Sequence, residues 1–322
     1  MAAIITEKFR QSNADIFFSD LTSSSYYVFV GKHSPWTSEG ASADSVPPAP
    51  VDSVAPESYY WDDMLAAKRV TASNRSMVIP RRNFATSSAF DMYRHDVGGV
   101  STGNYGTTKT TSSSGATNLF DSTYYFKTSE HKVYKVLYNG DQLQTGAGNI
   151  SGNEPTSTNN APFWQDNNYY IKYMYTMTTT EIDKFLTTDF AAVTTDSTVS
   201  SAAQSASGDT APFNGAPIDV FLVTNQGSGY PDGTYYAKVQ GDGSGGILKL
   251  VVASNVITRF GESGVSTVQA GGSKYTFATV SLAGTNIYTD AAATSLISGS
   301  TLTSWNSASA GAITPIISPP VG

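Results

Sequence analysis

Cysteine is absent from the 322 residues, and charged side chains make up only 14% of them. The lack of cysteine excludes disulfides, thiolate zinc sites and cysteine nucleophiles, and it fits folding in a reducing cytosol. Soluble domains usually contain about 25% charged residues. The chain therefore has few groups for ionic chemistry.

Basic stripes and long apolar runs are missing as well. The net charge is −7 and the pI is near 4.9, so a nucleic-acid partner is not expected. The longest apolar runs, at 26–30 and 247–253, have the length of strands and not of a membrane span. The first residues lack the basic and long apolar regions of a signal peptide. We expect a soluble protein without a membrane partner.

The residues that are abundant favour short strands joined by turns. Aromatic residues make up 12% of the chain, and glycine occurs 28 times. Tyr- and Thr-rich segments of this kind predict a mainly β fold. The expected strands lie at 25–32, 76–80, 122–127, 131–138 and 168–177. The first of these is apolar on both faces, which predicts an interior strand.

Three segments read as helices. Residues 6–21 place apolar side chains near one side, and residues 57–70 carry acids in the first turns and bases at the end. Residues 178–190 begin with a capping-box pattern, Thr178 with Glu181.

The composition divides the chain into four parts. Residues 1–195 hold 15 basic and 19 acidic side chains, whereas residues 196–322 hold 4 and 7. A Ser/Thr/Ala-rich stretch precedes a weak repeat, which has Tyr230 in one copy and Tyr275 in the other and reads as hairpins. A turn is expected between the two copies at Ser254 and Asn255. The predicted parts are a core at 1–194, a linker at 195–215, an all-β repeat module at 216–290 and a Ser/Gly/Pro-rich tail at 291–322, in which no closing strand is recognised.

Catalytic and metal-binding patterns are weak throughout. The histidines at 33, 95 and 131 are too far apart for a short metal motif. GSGYPDG at 227–233 precedes a strand instead of a helix, so it reads as a hairpin loop and not a phosphate cradle. Asp242 stands alone in GDGSGG, and Asp62 and Asp63 fit helix N-terminal charge. We expect no enzyme activity, catalytic residue, cofactor or metal.

The paired arginines in VIPRRNF, residues 78–84, raise the question of an anion clamp. In an extended strand the side chains of Arg81 and Arg82 point to opposite faces, so they cannot bind one anion together. Arginine suits bidentate pairing at buried or interfacial sites. A structural or interface role is favoured over an active site.

Five blocks occur in the N-terminal half in the order TEKFR, YYVFVGKHSPWTSEG, PPAPVDSV, YYWDDMLAAKRV and MVIPRRNF. Together they resemble a baseplate wedge subunit of T-even-type contractile-tailed phages. HKVYKVLYNG and WQDNNYYIKYMYTM resemble the family's next strands, so the resemblance covers about residues 4–190.

The resemblance implies a non-enzymatic virion protein of the tail baseplate, assembled in the host cytoplasm. It implies a layered antiparallel β-sandwich with a few short helices in end loops, which forms a homodimer. Other wedge subunits and peripheral baseplate or fibre-attachment proteins are the implied partners. Interface or core-organising roles are expected for five residues: Pro35, Trp36, Pro80, Arg81 and Arg82.

The chain departs from the family pattern after residue 190. Residues 200–290 match nothing in the compact T-even member, and the family's final strands are not visible, so the sequence is either altered there or part of a longer polypeptide. The alternative function is a glycan- or receptor-binding tail module carried by residues 216–290. Its basis is the number of tyrosines, 19, which exceeds what a core alone requires.

Overall fold

The computed structural model describes residues 7–31, 53–54, 61, 64–97, 114–140, 150, 152–159, 161–165, 169–193, 216–262 and 265–318. The fold is mainly β with a few short helices, and the strand pairs are antiparallel, which confirms the predicted fold class. The chain forms two compact units, Met1–Met77 and Val78–Gly322.

Three described helices accompany the strands: α1 (Glu7–Ser23), α2 (Thr179–Phe185) and α3 (Gly299–Ser307). The strands are β1 (Tyr27–Gly31), β2 (Met64–Arg69), β3 (Met77–Pro80), β4 (Tyr125–Lys127), β5 (Lys132–Tyr138), β6 (Phe163–Trp164), β7 (Tyr170–Thr176), β8 (Phe190–Val193), β9 (Ile218–Asn225), β10 (Gly233–Gly241), β11 (Ser244–Ala253), β12 (Val256–Ile257), β13 (Val268–Ser273), β14 (Ala278–Val280), β15 (Ile287–Tyr288) and β16 (Ala312–Ile317).

The first unit contains α1 and a two-stranded antiparallel ribbon of β1 and β2, with Tyr27 opposite Arg69. The predicted strand at 25–32 is confirmed as β1, but its predicted interior position is wrong. Among the described residues β1 pairs with β2 alone, and its apolar side chains are exposed.

The helix predicted at 57–70 is wrong from Met64 to Arg69, which form β2. Pairing with β1 outweighs the helix preference of MLAAKR, because intrinsic propensity is a weak prior against tertiary contacts. Residues 57–60 and 62–63 lie outside the described residues.

In the second unit, β4, β5, β7 and β6 form a four-stranded sheet in that order. The predicted strands at 76–80, 131–138 and 168–177 are confirmed, and 122–127 is confirmed from Tyr125. The helix predicted at 178–190 is shorter, since α2 ends at Phe185 and β8 follows. Its capping box forms as expected between Thr178 and Glu181. Strand β8 pairs with β3.

Strands β9 and β16 pair with each other and supply side chains to two hydrophobic clusters. Val220 and Leu222 belong to a cluster with the four-stranded sheet, whereas Phe221 and Val223 belong to a cluster with β10 and β11. Alternation along β9 therefore places this pair between two cores. The result is a layered β arrangement.

Strands β10 to β15 form a six-stranded sheet. The predicted turn at Ser254 and Asn255 is confirmed, and both residues have positive φ. The hairpins predicted around Tyr230 and Tyr275 are wrong, because β9 pairs with β16 while β13 and β14 pair with β11 and β10. Both tyrosines instead pack in the core.

The predicted tail contains regular structure that was not expected. Helix α3 and strand β16 lie within 291–318, and Trp305 on α3 is buried. Pro315 did not prevent a strand, because β16 pairs with β9 alone among the described strands and the proline lies in an edge position. The four-part division of the chain stays a prediction, and residues 194–215 lie outside the described residues.

Candidate interaction surfaces

The arginine-containing segment leaves β3 at Pro80 and runs beside β4. The Tyr125 hydroxyl donates to the Pro80 carbonyl at 2.7 Å, and the Arg81 N–H donates to the Asp189 carbonyl at 2.7 Å. The Lys127 N–H then donates to the Arg82 carbonyl at 2.7 Å. Main-chain contacts therefore fix the segment on two sides before its side chains are considered.

The two arginine side chains bind different parts of the chain. Arg81 Nη1 donates to the Thr187 carbonyl at 2.8 Å. Arg82 Nη2 donates to the Phe120 carbonyl at 2.9 Å. Within the described ranges neither guanidinium is in an ion pair with a carboxylate. These contacts do not test the predicted interface role of Pro80, Arg81 and Arg82, which stays a prediction. Pro35 and Trp36 lie outside the described residues.

Asp91 is a buried carboxylate that the sequence interpretation missed. It accepts hydrogen bonds from the backbone N–H groups of Ser114 and Thr123, both at 2.7 Å, and from the Ser122 hydroxyl at 3.0 Å. Burial disfavours its charge, yet these hydrogen bonds hold the pKa of Asp91 below its usual value. The carboxylate fixes a distant loop. Its partners lie 23 to 32 residues away, so no local pattern reveals it.

Lys135 is a second buried charge missed from the sequence. Its Nζ lies 3.2 Å from Asp219 Oδ2 and 3.8 Å from the centroid of the Tyr93 ring. Burial lowers the pKa of Lys135, and the Asp219 carboxylate opposes that shift. The pair ties β5 to β9 inside the second unit. A lysine between Tyr134 and Val136 in this strand was the available signal.

The first unit exposes an apolar surface, here called the ribbon surface, which consists of the β1 and β2 side chains together with Ile16 and Phe17 of α1. Val28 and Val30 are each 62% exposed, and Leu65 is exposed to the same degree. A groove of about 540 Å³ lies within the unit. It is lined by Phe17, Leu21, Val28, Val30, Ala66, Ala67, Lys68, Arg69, Val70, Asn74 and Arg75. Contiguous exposed apolar surface is typical of interaction sites.

The described histidines do not gather into a metal site. The His95 ring accepts a hydrogen bond from the Ile317 N–H at 3.2 Å, and burial lowers its pKa. His131 lies 3.5 Å from Lys127 Nζ. In the described part of the chain no three His, Asp or Glu side chains are grouped so that they could hold a metal ion. His33 lies outside that part. Among the described residues, the structure contains no helix that could span a bilayer.

Comparison with known proteins finds similarity at the N-terminal end. A family model described as Bacteriophage T4, Gp8 matches residues 3–123. The baseplate wedge protein gp8 of Enterobacteria phage T4 is 30% identical over 95 residues, which are 28% of this chain and 28% of that protein. The chain thus matches well under two thirds of that relative's length. No solved structure matches.

These matches confirm the resemblance to a T4-like baseplate wedge subunit for the N-terminal region. The matched residues include the whole ribbon surface and the VIPRR segment. The resemblance between residues 124 and 190 stays a prediction.

Proposed function

We propose that the chain is a structural component of a contractile-tail baseplate wedge. Its work is binding: it holds neighbouring wedge subunits and helps to attach peripheral baseplate or fibre-attachment proteins. It acts in the virion tail after assembly in the host cytoplasm. Catalysis is not part of this proposal.

The observation that carries the proposal is the ribbon surface, which falls inside the region similar to a baseplate wedge protein. A two-stranded ribbon is marginally stable in water without a partner or a further layer. Val28 and Phe29 lie on opposite faces of β1, and both are exposed, at 62% and 47%. Such a strand gains stability when another protein covers it, so the ribbon surface supports an assembly role.

A homodimer is part of the proposal. It follows from the resemblance to the wedge family. The ribbon surface is large enough in apolar side chains to serve either a second copy or another wedge subunit, and we propose that a wedge subunit covers it. Dimer contacts would then use other surfaces of the chain.

The glycan-binding alternative is less well supported by the geometry. Its tyrosines at 230 and 275 are 2% and 1% exposed, and Tyr235 is also buried. A sugar-stacking platform requires an exposed aromatic face. These tyrosines of the module are buried in its own core. No observation therefore favours the alternative over the assembly role.

The test is co-expression of the tagged chain with the remaining wedge subunits of the same phage, followed by size-exclusion chromatography. We expect the chain to co-elute with at least one wedge subunit at fixed stoichiometry. Elution free of every wedge subunit, together with saturable binding to host glycan, would replace the proposal with the alternative.

A further inference from the structure

Three described cationic side chains in the second unit are buried. They differ in whether a carboxylate lies close enough to form an ion pair. Arg94, Lys127 and Lys135 are 5%, 6% and 6% exposed. Arg94 lies 2.6 Å from the Asp96 carboxylate, and Lys135 lies 3.2 Å from that of Asp219. Among the described residues Lys127 has no carboxylate within ion-pair distance. Lys127 is therefore the exception among these three, although the chain has more acidic residues (26) than basic ones (19).

The close described contacts of Lys127 are a carbonyl and an imidazole, and neither carries a negative charge. Its Nζ donates to the Thr128 carbonyl at 2.9 Å and lies 3.5 Å from His131 Nδ1. Glu154 acts on Lys127 from beyond ion-pair distance. The two oxygens of its carboxylate share the Ser129 N–H. Buried charges are normally paired, because an unpaired buried charge loses its hydration and gains no compensating ion pair.

A second cation stands beside this lysine. Arg81 belongs to the segment that bridges to Lys127 through the parallel Asn83–Lys127 pairing. Burial and then the Arg81 charge lower the pKa of Lys127, while burial, Lys127 and Arg81 lower the pKa of His131. Arg81 and His131 are partly exposed, so the cluster is reachable from solvent. In the described part of the chain, three basic groups therefore lie together with no carboxylate within ion-pair distance of Lys127.

We propose that the cluster of Arg81, Lys127 and His131 receives an acidic side chain of a protein partner. The proposal rests on the assembly function above and deepens it by naming the chemistry of the partner. The carboxylate approaches through Arg81 and His131 and supplies a close counter-charge to Lys127, which has none among the described residues. Arg81 keeps its hydrogen bonds to Thr187 and Asn83, which hold the guanidinium in place.

The test uses the full chain and a tetraglutamate peptide as the probe, with the His131 ring resonances as the readout. We expect a saturable, salt-sensitive shift of His131 in the native chain. Lys127→Met should weaken peptide affinity at least tenfold without lowering the melting temperature, because the cation it removes has no carboxylate partner. Lys249→Met, which removes a charge from β11, should change neither quantity.

Four results would overturn the proposal. The first three are an unresponsive His131 in the native chain, equal affinity in Lys127→Met, and a melting temperature that falls in Lys127→Met but not in Lys249→Met. The last would show that the charge is compensated inside the chain. Tighter binding of inorganic phosphate than of the peptide would also contradict it. None of these readouts uses wedge subunits. A failure of this proposal can therefore be told apart from a failure of the co-elution test of the assembly function.

Discussion

At the scale of single residues, the second unit uses buried charges as fixed attachment points between distant segments. Asp91 holds the segment from Ser114 to Thr123, and Lys135 holds Asp219. Each charge is satisfied by several donors or by a partner of opposite sign, as burial requires. Removing one member of such a set leaves the others buried without a partner.

Asp91→Asn should destabilise the protein by about 2 kcal/mol at pH 7, because charge-assisted hydrogen bonds from Ser114 and Thr123 are lost. The folded pKa of Asp91 is lowered, so its contribution is present above the unfolded pKa and is lost as pH falls through the folded pKa. The difference in the free energy of unfolding between the two proteins should therefore begin to shrink below about pH 4 and should vanish only below the folded pKa of Asp91.

The matched control is Asp183→Asn, since Asp183 is exposed on α2. We expect little change in its free energy of unfolding at any pH. A difference between Asp91→Asn and the native protein that stays constant down to pH 2 would contradict the ionised, hydrogen-bonded state of Asp91.

Gly261 is a second residue whose identity is fixed by its surroundings. Its φ is +79°, and an added Cβ would lie 2.8 Å from Cη2 of Trp164 and 3.1 Å from Cε1 of Tyr138. Gly261→Ala should cost roughly 2 to 4 kcal/mol in denaturant unfolding, from backbone strain and overpacking together. Gly152→Ala, at φ +82° with open space around it, should show the smaller strain cost alone. Equal losses would mean that the aromatic contact is irrelevant.

At the scale of elements, local signals succeeded where the segment's own residues decide its structure. The capping box of Thr178 and Glu181 forms and starts α2. The turn at Ser254 and Asn255 joins β11 to β12. Both are short-range patterns with a direct physical cause.

Elements decided by distant contacts were missed. The sequence of β2 favours a helix, and only its pairing with β1 makes it a strand. The β16 strand lies in a Ser/Gly/Pro-rich stretch and depends on β9, about ninety residues earlier in the chain. For the same reason the contacts of Arg81 with Thr187 and of Asp91 with Ser114 could not be read from local spacing.

The ribbon surface gives a prediction for one element. Val28 lies opposite Lys68 on β2, so Val28→Asp places a carboxylate beside a cation and should keep the ribbon paired. We expect the free energy of unfolding to change by less than about 1 kcal/mol. Association with wedge subunits should fall at least tenfold, because the apolar strand face is lost.

The control for that substitution is Leu296→Asp, which adds the same charge at a half-exposed leucine of the second unit. It should leave association unchanged. If Val28→Asp associates as well as Leu296→Asp in quantitative co-purification, the ribbon surface is not an assembly site.

At the scale of the whole molecule, β9 joins parts of the chain that the composition separates. Leu222 belongs to the same hydrophobic cluster as Tyr134 of the four-stranded sheet, while its neighbour Val223 belongs to the cluster that contains Leu250 of the six-stranded sheet. Both sheets belong to the unit Val78–Gly322. The predicted boundary between 194 and 216 therefore runs between segments that share a core.

Leu222→Ala should cost about 2 to 5 kcal/mol, because a fully buried leucine leaves a cavity. Native-state hydrogen exchange should show lower protection in β5 and in β11 together, because each of these strands shares a hydrophobic cluster with β9. Val251→Ala, at a half-buried site, should cost less. Loss of protection in β5 while β11 keeps its own would instead support two separate domains.

We propose that this chain is a structural part of a tail baseplate. Electron microscopy of intact phage particles that carry a tagged copy of the chain is the sharpest test. We expect density for the tag at the distal plate of every tail, in fixed number per particle. Particles with complete baseplates but no tag density there, or with density only at fibre tips, would contradict it.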